Sequence, residues 1–116
     1  MGAGTRLAWA VQVRMQSDRT KFRAADSAQA PIMRVRGYDQ GDGWFALVGD
    51  TPRGRLGMWF EEALRDSFRA TVTSLPTDAF LLVEGKDELW RTHRYRVPVN
   101  QDVRAWIAPL LDSPEA

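Results

Sequence analysis

Cysteine is absent from this chain of 116 residues, and histidine occurs once, as His93. The first absence excludes a disulfide framework and every cysteine-liganded zinc or iron–sulfur site. It also fits a reducing compartment, and the cytoplasm is the expected location. The second leaves a single side chain whose ordinary pKa suits general-base work near neutral pH. Long apolar runs are missing too, and nothing approaches the ~20 residues needed to span a bilayer. The stretch Leu7 to Val11 is short for a signal-peptide core, and Arg6 stands where a myristoylation signal needs Ser or Thr. Lysine is scarce: Lys21 and Lys86 are the only two among 16 basic residues, the rest being arginine. A GC-rich coding sequence favours Arg over Lys, so the positions of the arginines carry more information than their number.

What is present describes one globular domain over residues 1–116. The apolar share of 44% and the charged share of 27% are ordinary for such a domain, and the formal net charge is +1. Five tryptophans (Trp9, Trp44, Trp59, Trp90 and Trp106) are spread along the chain, so each element carries about one large anchor. Much of that supply is expected to go to the core.

Residues 7–16 alternate, with Trp9, Val11, Val13 and Met15 on one side, which predicts a half-buried strand. Residues 17–31 are small and polar and read as a loop, pinned by Phe22, in which Ala24, Ala25 and Ala28 would tolerate a short helix. Ile32 to Tyr38 alternates again. The turn formers Asp39 to Gly43 lead to the apolar run Trp44 to Val48, predicting a hairpin.

Beyond Asp50 the recurrence of Phe60, Leu64, Phe68, Thr71, Val72 and Leu75 predicts an amphipathic helix from about Leu56 to Ser74, with Thr51-Pro52 as its cap. Phe80 to Glu84 reads as a central strand, and Leu89 to Val97 as the last one. Asn100 caps a short helix that Pro109 should end or kink, and Asp112 to Ala116 is read as a frayed tail. The order β-β-β-α-β-β-α predicts an α+β two-layer sandwich: a mainly antiparallel five-stranded sheet with two helices on one face.

Catalytic and cofactor motifs fail on context, and neither a metal nor a cofactor is expected. Glu84-Gly85-Lys86 after an apolar strand resembles the metal-binding signature of PD-(D/E)xK nucleases. Asp78 stands too close before it, however, and the long helix separates it from Asp50, so it reads as a polar turn. No serine near His93 lies in a nucleophile elbow, so no catalytic residue is assigned. Gly41 to Ala46 has the GxGxxA form, but a strand follows it rather than the helix a pyrophosphate needs. The spacing of Asp39, Asp42 and Asp50 does not make a calcium loop. Glu61, Glu62 and Glu84 are the acids that an unfamiliar carboxylate enzyme would bring into one cleft.

Strand parity offers a different constellation. If the apolar residues face the helices, the opposite face presents Arg14, Arg34, Arg36, Arg94 and Arg96, edged by Tyr38 and Trp90. Alternating Arg also simply solvates the outer face of an antiparallel sheet. As a site, the pattern predicts a non-enzymatic protein-binding module that docks an acidic patch on a partner. The same face, or an edge strand, offers a route to a homodimer. The alternative is a nucleic-acid-binding domain, helped by the basic segment Arg19 to Arg23 and opposed by the low net charge.

Overall fold

Leu56-Gly57-Met58-Trp59-Phe60 alternates with period two, and the computed structural model, which describes residues 11–112, forms a strand there rather than the start of a long helix. The elements are β1 (Val11–Met15), β2 (Lys21–Ala25), β3 (Arg34–Gly41), β4 (Trp44–Thr51), β5 (Gly54–Glu61), α1 (Arg65–Ser74), β6 (Phe80–Lys86), β7 (Thr92–Pro98) and α2 (Gln101–Leu111). The expected residues 7–10, with Trp9, and the tail 113–116 lie outside the described residues.

The protein is α+β with two helices, but its strands form two sheets and not one of five. A mixed four-stranded sheet has the order β1-β5-β4-β3, and an antiparallel three-stranded sheet has the order β2-β6-β7. Two expectations fail locally to produce this. Thr51 does not cap a helix: its hydroxyl accepts from the Arg53 N–H and donates to the Gly54 carbonyl, closing the turn between β4 and β5. Residues 17–31 are not all loop, because Lys21–Ala25 pairs with β6 and buries Phe22 opposite Val83. β1 pairs in parallel with β5, the sheet's one parallel ladder.

The sheets meet at two seams. Gln16 N–H donates to Lys86 at one corner; at the other, Met33 N–H donates to Arg96 and Arg96 N–H to Pro31. Between them lies a core whose centre is four phenylalanines. Phe22 and Phe45 each pack against both Phe60 and Phe68, with ring centroids 5.2–5.4 Å apart. Burying one such ring stabilises by roughly 1.5–3 kcal/mol. Among the described residues tryptophan does not build this core, contrary to expectation: Trp44 and Trp59 are half-buried, and Trp90 and Trp106 are 56% and 45% exposed.

α1 presents Phe68 and Val72 to the core, with Leu64 before it and Leu75 after it, as the helical spacing predicts. At α2 the expected cap forms, Asn100 Oδ1 accepting from Val103 N–H at 2.9 Å. Pro109 does not end the helix, which runs on to Leu111. Its missing N–H lies on the exposed side, and the turn beyond is held by buried Leu110, whose carbonyl accepts from Arg65 at 3.0 Å.

β3 carries a bulge. Val35 pairs with Gly49 and Gly37 with Val48, so Arg36 is an extra residue and the parity beyond it reverses. A β-carbon at Gly49 would overlap the Arg34 carbonyl, its carbon only 2.8 Å away. Gly49→Ala is therefore expected to cost about 3 kcal/mol, because backbone rather than a side-chain tip must move, and a urea midpoint measurement checks it.

Candidate functional site

Register decides which side chains share a surface. In the three-stranded sheet, Phe22, Val83, Leu81 and Val97 point into the core. The alternate positions point away: Lys21 and Arg23 on β2, Phe80, Leu82, Glu84 and Lys86 on β6, and Arg94 and Arg96 on β7. Leu82 is fully buried yet lies outside the core cluster. Its register partners on either side are Arg23 and Arg96, residues with long apolar stems suited to cover it. The buried apolar residues of both helices belong to the core cluster, on the inner side of this sheet.

Among the described residues this outer face carries five cations against one carboxylate. Glu84 sits between two of them, 3.7 Å from Arg23 and 3.2 Å from Arg94. These side chains are 38–52% exposed, so the pairs orient the guanidinium groups more than they stabilise the fold. Arg96 is fixed more firmly, donating from Nε to the Ala30 carbonyl at 2.6 Å and lying 5.2 Å from the centre of the Phe80 ring. Lys86 donates to the Thr92 hydroxyl at 2.8 Å.

The seven residues singled out from the sequence are divided. Arg94 and Arg96 share this face, and Arg34 stands just beyond the seam where Ile32 bridges to Arg96. Arg36 projects from the bulge and binds Asp50, whose other oxygen takes Arg55. The two guanidinium groups, Arg36 first, hold the Asp50 carboxyl below its usual pKa. Arg14 is separated from the others, on β1 at the opposite edge of the four-stranded sheet from β3, 4.0 Å from Glu88.

Tyr38 does not edge the outer face: the bulge turns it to pack on the core, opposite Leu47. Trp90 is not on a strand, because the last strand begins at Thr92 and residues 87–91 form a turn. Lys86 was missed, and Lys21 and Arg23 were read only as part of a basic loop segment, although the alternation of Lys21, Phe22 and Arg23 around one buried ring was a usable signal.

The acids do not assemble either. Glu61 is exposed at the end of β5, Glu62 binds Arg65, and Glu84 is engaged on the basic face. His93 Nε2 lies 2.8 Å from Asp87 Oδ2, inside the turn that carries Trp90. The expected hairpin forms, but its turn is the two residues Asp42-Gly43 and not the five from Asp39 to Gly43, because β3 runs on to Gly41. Comparison with protein-family models, with curated proteins and with solved structures gives no match for this chain.

Proposed function

We propose that the chain is a small non-enzymatic binding module that docks an acidic patch of a partner protein on the outer face of its three-stranded sheet. The supporting observation is the set Lys21, Arg23, Lys86, Arg94 and Arg96 on one surface, with Glu84 as its single carboxylate. Arginine forks held in place by Glu84 and the Ala30 carbonyl lose little freedom on engaging a carboxylate. Charge complementarity of this kind acts first on the association rate and therefore weakens with salt.

A nucleic-acid partner fits this face less well. Among the described residues the one aromatic ring on it, Phe80, already lies beneath Arg96, and the exposed indoles are elsewhere, so these residues offer the face no free platform for base stacking. Affinity capture from the native host, with and without nuclease, tests the reading. Capture is expected to be salt-sensitive and nuclease-insensitive, and to fall at least tenfold in an Arg23→Ala/Lys86→Ala/Arg94→Ala variant whose Tm is unchanged. Loss of capture on nuclease treatment would replace the protein partner with nucleic acid. Recovery of the chain alone would replace it with a homodimer, and equal capture by the variant would remove this face from consideration.

A further inference from the structure

The indoles that the core does not use gather elsewhere. A cleft of about 590 Å³ opens between the C-terminal end of β1, the β3–β4 turn, the C-terminal end of β5 and the turn after β6. Trp44 and Trp59 form one wall, their rings 4.0 Å apart and tilted by 32°. Trp90 forms the other, held at φ +63°, a backbone conformation that bulky residues rarely adopt. Arg19, which does not line the cleft, lies 4.9 Å from the centre of the Trp90 ring and braces it. Trp44 lies against the backbone of Gly41, where a β-carbon would come within 2.6 Å of the indole. Three large aromatic surfaces are thus set in place before any ligand arrives.

The charge lining the cleft is opposite to that of the basic sheet. Among the described residues four carboxylates border it (Asp18, Asp42, Glu61 and Glu88) with Arg14 as the one cation. Asp18 is 3.9 Å from Arg19, and Glu88 is 4.0 Å from Arg14. Asp42 and Glu61 have no ion-pair partner among the described residues. Both stand beside Trp44: Glu61 is its register partner, and Asp42 lies two residues before it. A cleft lined by indoles and by two carboxylates without ion-pair partners has the chemistry that holds an ammonium or guanidinium group, through the ring quadrupole and direct charge attraction.

We infer that this cleft binds a short peptide segment of another protein by seating an Arg or Lys side chain among its indoles, beside the carboxylates of Asp42 and Glu61. A volume of this size suits a drug-sized ligand, more than one amine headgroup needs, which favours a peptide over a free amine. The rest of the lining would take the residues flanking the cation. This site is independent of the basic sheet and draws on the opposite charge.

The test uses four blocked heptapeptides of Gly and Ala that differ only in a central Arg, Lys, norleucine or Glu. Binding is read by tryptophan fluorescence and calorimetry. The Arg and Lys peptides are expected to bind with Kd below about 1 mM, the norleucine peptide at least tenfold more weakly and the Glu peptide not measurably. Asp42→Asn/Glu61→Gln should bring the Arg peptide to the norleucine level with circular dichroism unchanged. Arg23→Ala/Lys86→Ala/Arg94→Ala should leave it as in the wild type, which separates this site from the proposed basic face. Equal binding of all four peptides, no binding by the basic ones, or no effect of the acid substitutions would overturn the assignment. So would concentration-dependent self-association that the basic peptide displaces, since the occupant would then be a second copy of this chain.

Discussion

Asp87→Ala is expected to lower the Tm by roughly 10 °C at neutral pH and to change the tryptophan emission at the same time. The Asp87 side chain is 5% exposed and is the hub of the turn after β6. One carboxylate oxygen accepts from the Leu89 and Arg91 N–H groups at 2.8 and 3.0 Å, and the other meets Arg91 Nε at 3.1 Å and His93 Nε2 at 2.8 Å. Removing the carboxylate strands these donors and releases Trp90 from its left-handed conformation. Asp87→Asn should lose less, because an amide oxygen can keep both backbone donors while its NH₂ group opposes Arg91.

The same contacts set a pH dependence. The hydrogen bond with His93, then those from the Arg91 and Leu89 backbone and the Arg91 side chain, hold the Asp87 carboxyl far below its usual pKa, outweighing the opposing effect of burial. A carboxyl depressed in the folded state stabilises fully above its unfolded pKa of about 3.9, and that contribution is lost as pH falls toward the folded value. Wild-type stability should therefore drop below about pH 4. Neither variant has a group to titrate there, so each should show a shallower acid limb in denaturant titrations from neutral pH downwards. Matching acid limbs would mean that other carboxylates govern the transition.

The parts of the fold that were legible in the sequence are those specified by neighbouring residues. Asn100 before an apolar helical face, Asp42-Gly43 between two runs and the continuous stretch Phe80 to Glu84 each carry a local signal, and β6 is indeed the central strand of its sheet. Errors arose where two periods overlap. Phe60 ends the alternation Leu56, Met58, Phe60 and also lies four residues before Leu64, so one ring belongs to both patterns. The hairpin won because Gly54, at φ +116°, closes the turn, and because β5 is paired on both edges, by β4 and β1.

Long-range pairing was not legible. The parallel match of Val11–Met15 to β5 and the division into two sheets depend on segments more than forty residues apart. A single extra residue, Arg36, reversed parity and moved Tyr38 from the expected outer face to the core. For the candidate site, alternation was enough to put Arg94 and Arg96 on one outer surface. Finding Lys21 and Arg23 beside them required knowing that β2 pairs with β6. The aromatic cleft had no sequence signature, since its three indoles come from β4, β5 and a turn.

Arg104→Met is expected to cost about 2–3 kcal/mol, although position 104 lies in a different helix from the one it stabilises. The last carbonyls of an α-helix have no partner within it and carry the negative end of its dipole. At the end of α1, Arg104 of α2 supplies donors to three carbonyls, of which Val72 and Pro76 also accept from the backbone N–H groups of Leu75 and Ala79. Its Nη1 donates to the Val72 carbonyl at 2.9 Å, and Nη2 donates to Leu75 and Pro76 at 3.2 and 3.0 Å. Nε meanwhile reaches Val99 at 3.2 Å, tying the chain before α2 to the same fork.

Methionine keeps much of the stem and removes every donor, so the loss reports the hydrogen bonds more than packing. Arg104→Lys should recover less than half, because one ammonium cannot match a planar fork spread over three carbonyls and a fourth behind it. A lower urea midpoint with an unchanged m-value checks the first effect. Increased amide exchange confined to residues 72–76 and the start of α2 checks its location. If Lys restored wild-type stability, charge at the helix end rather than the geometry of the fork would be the cause.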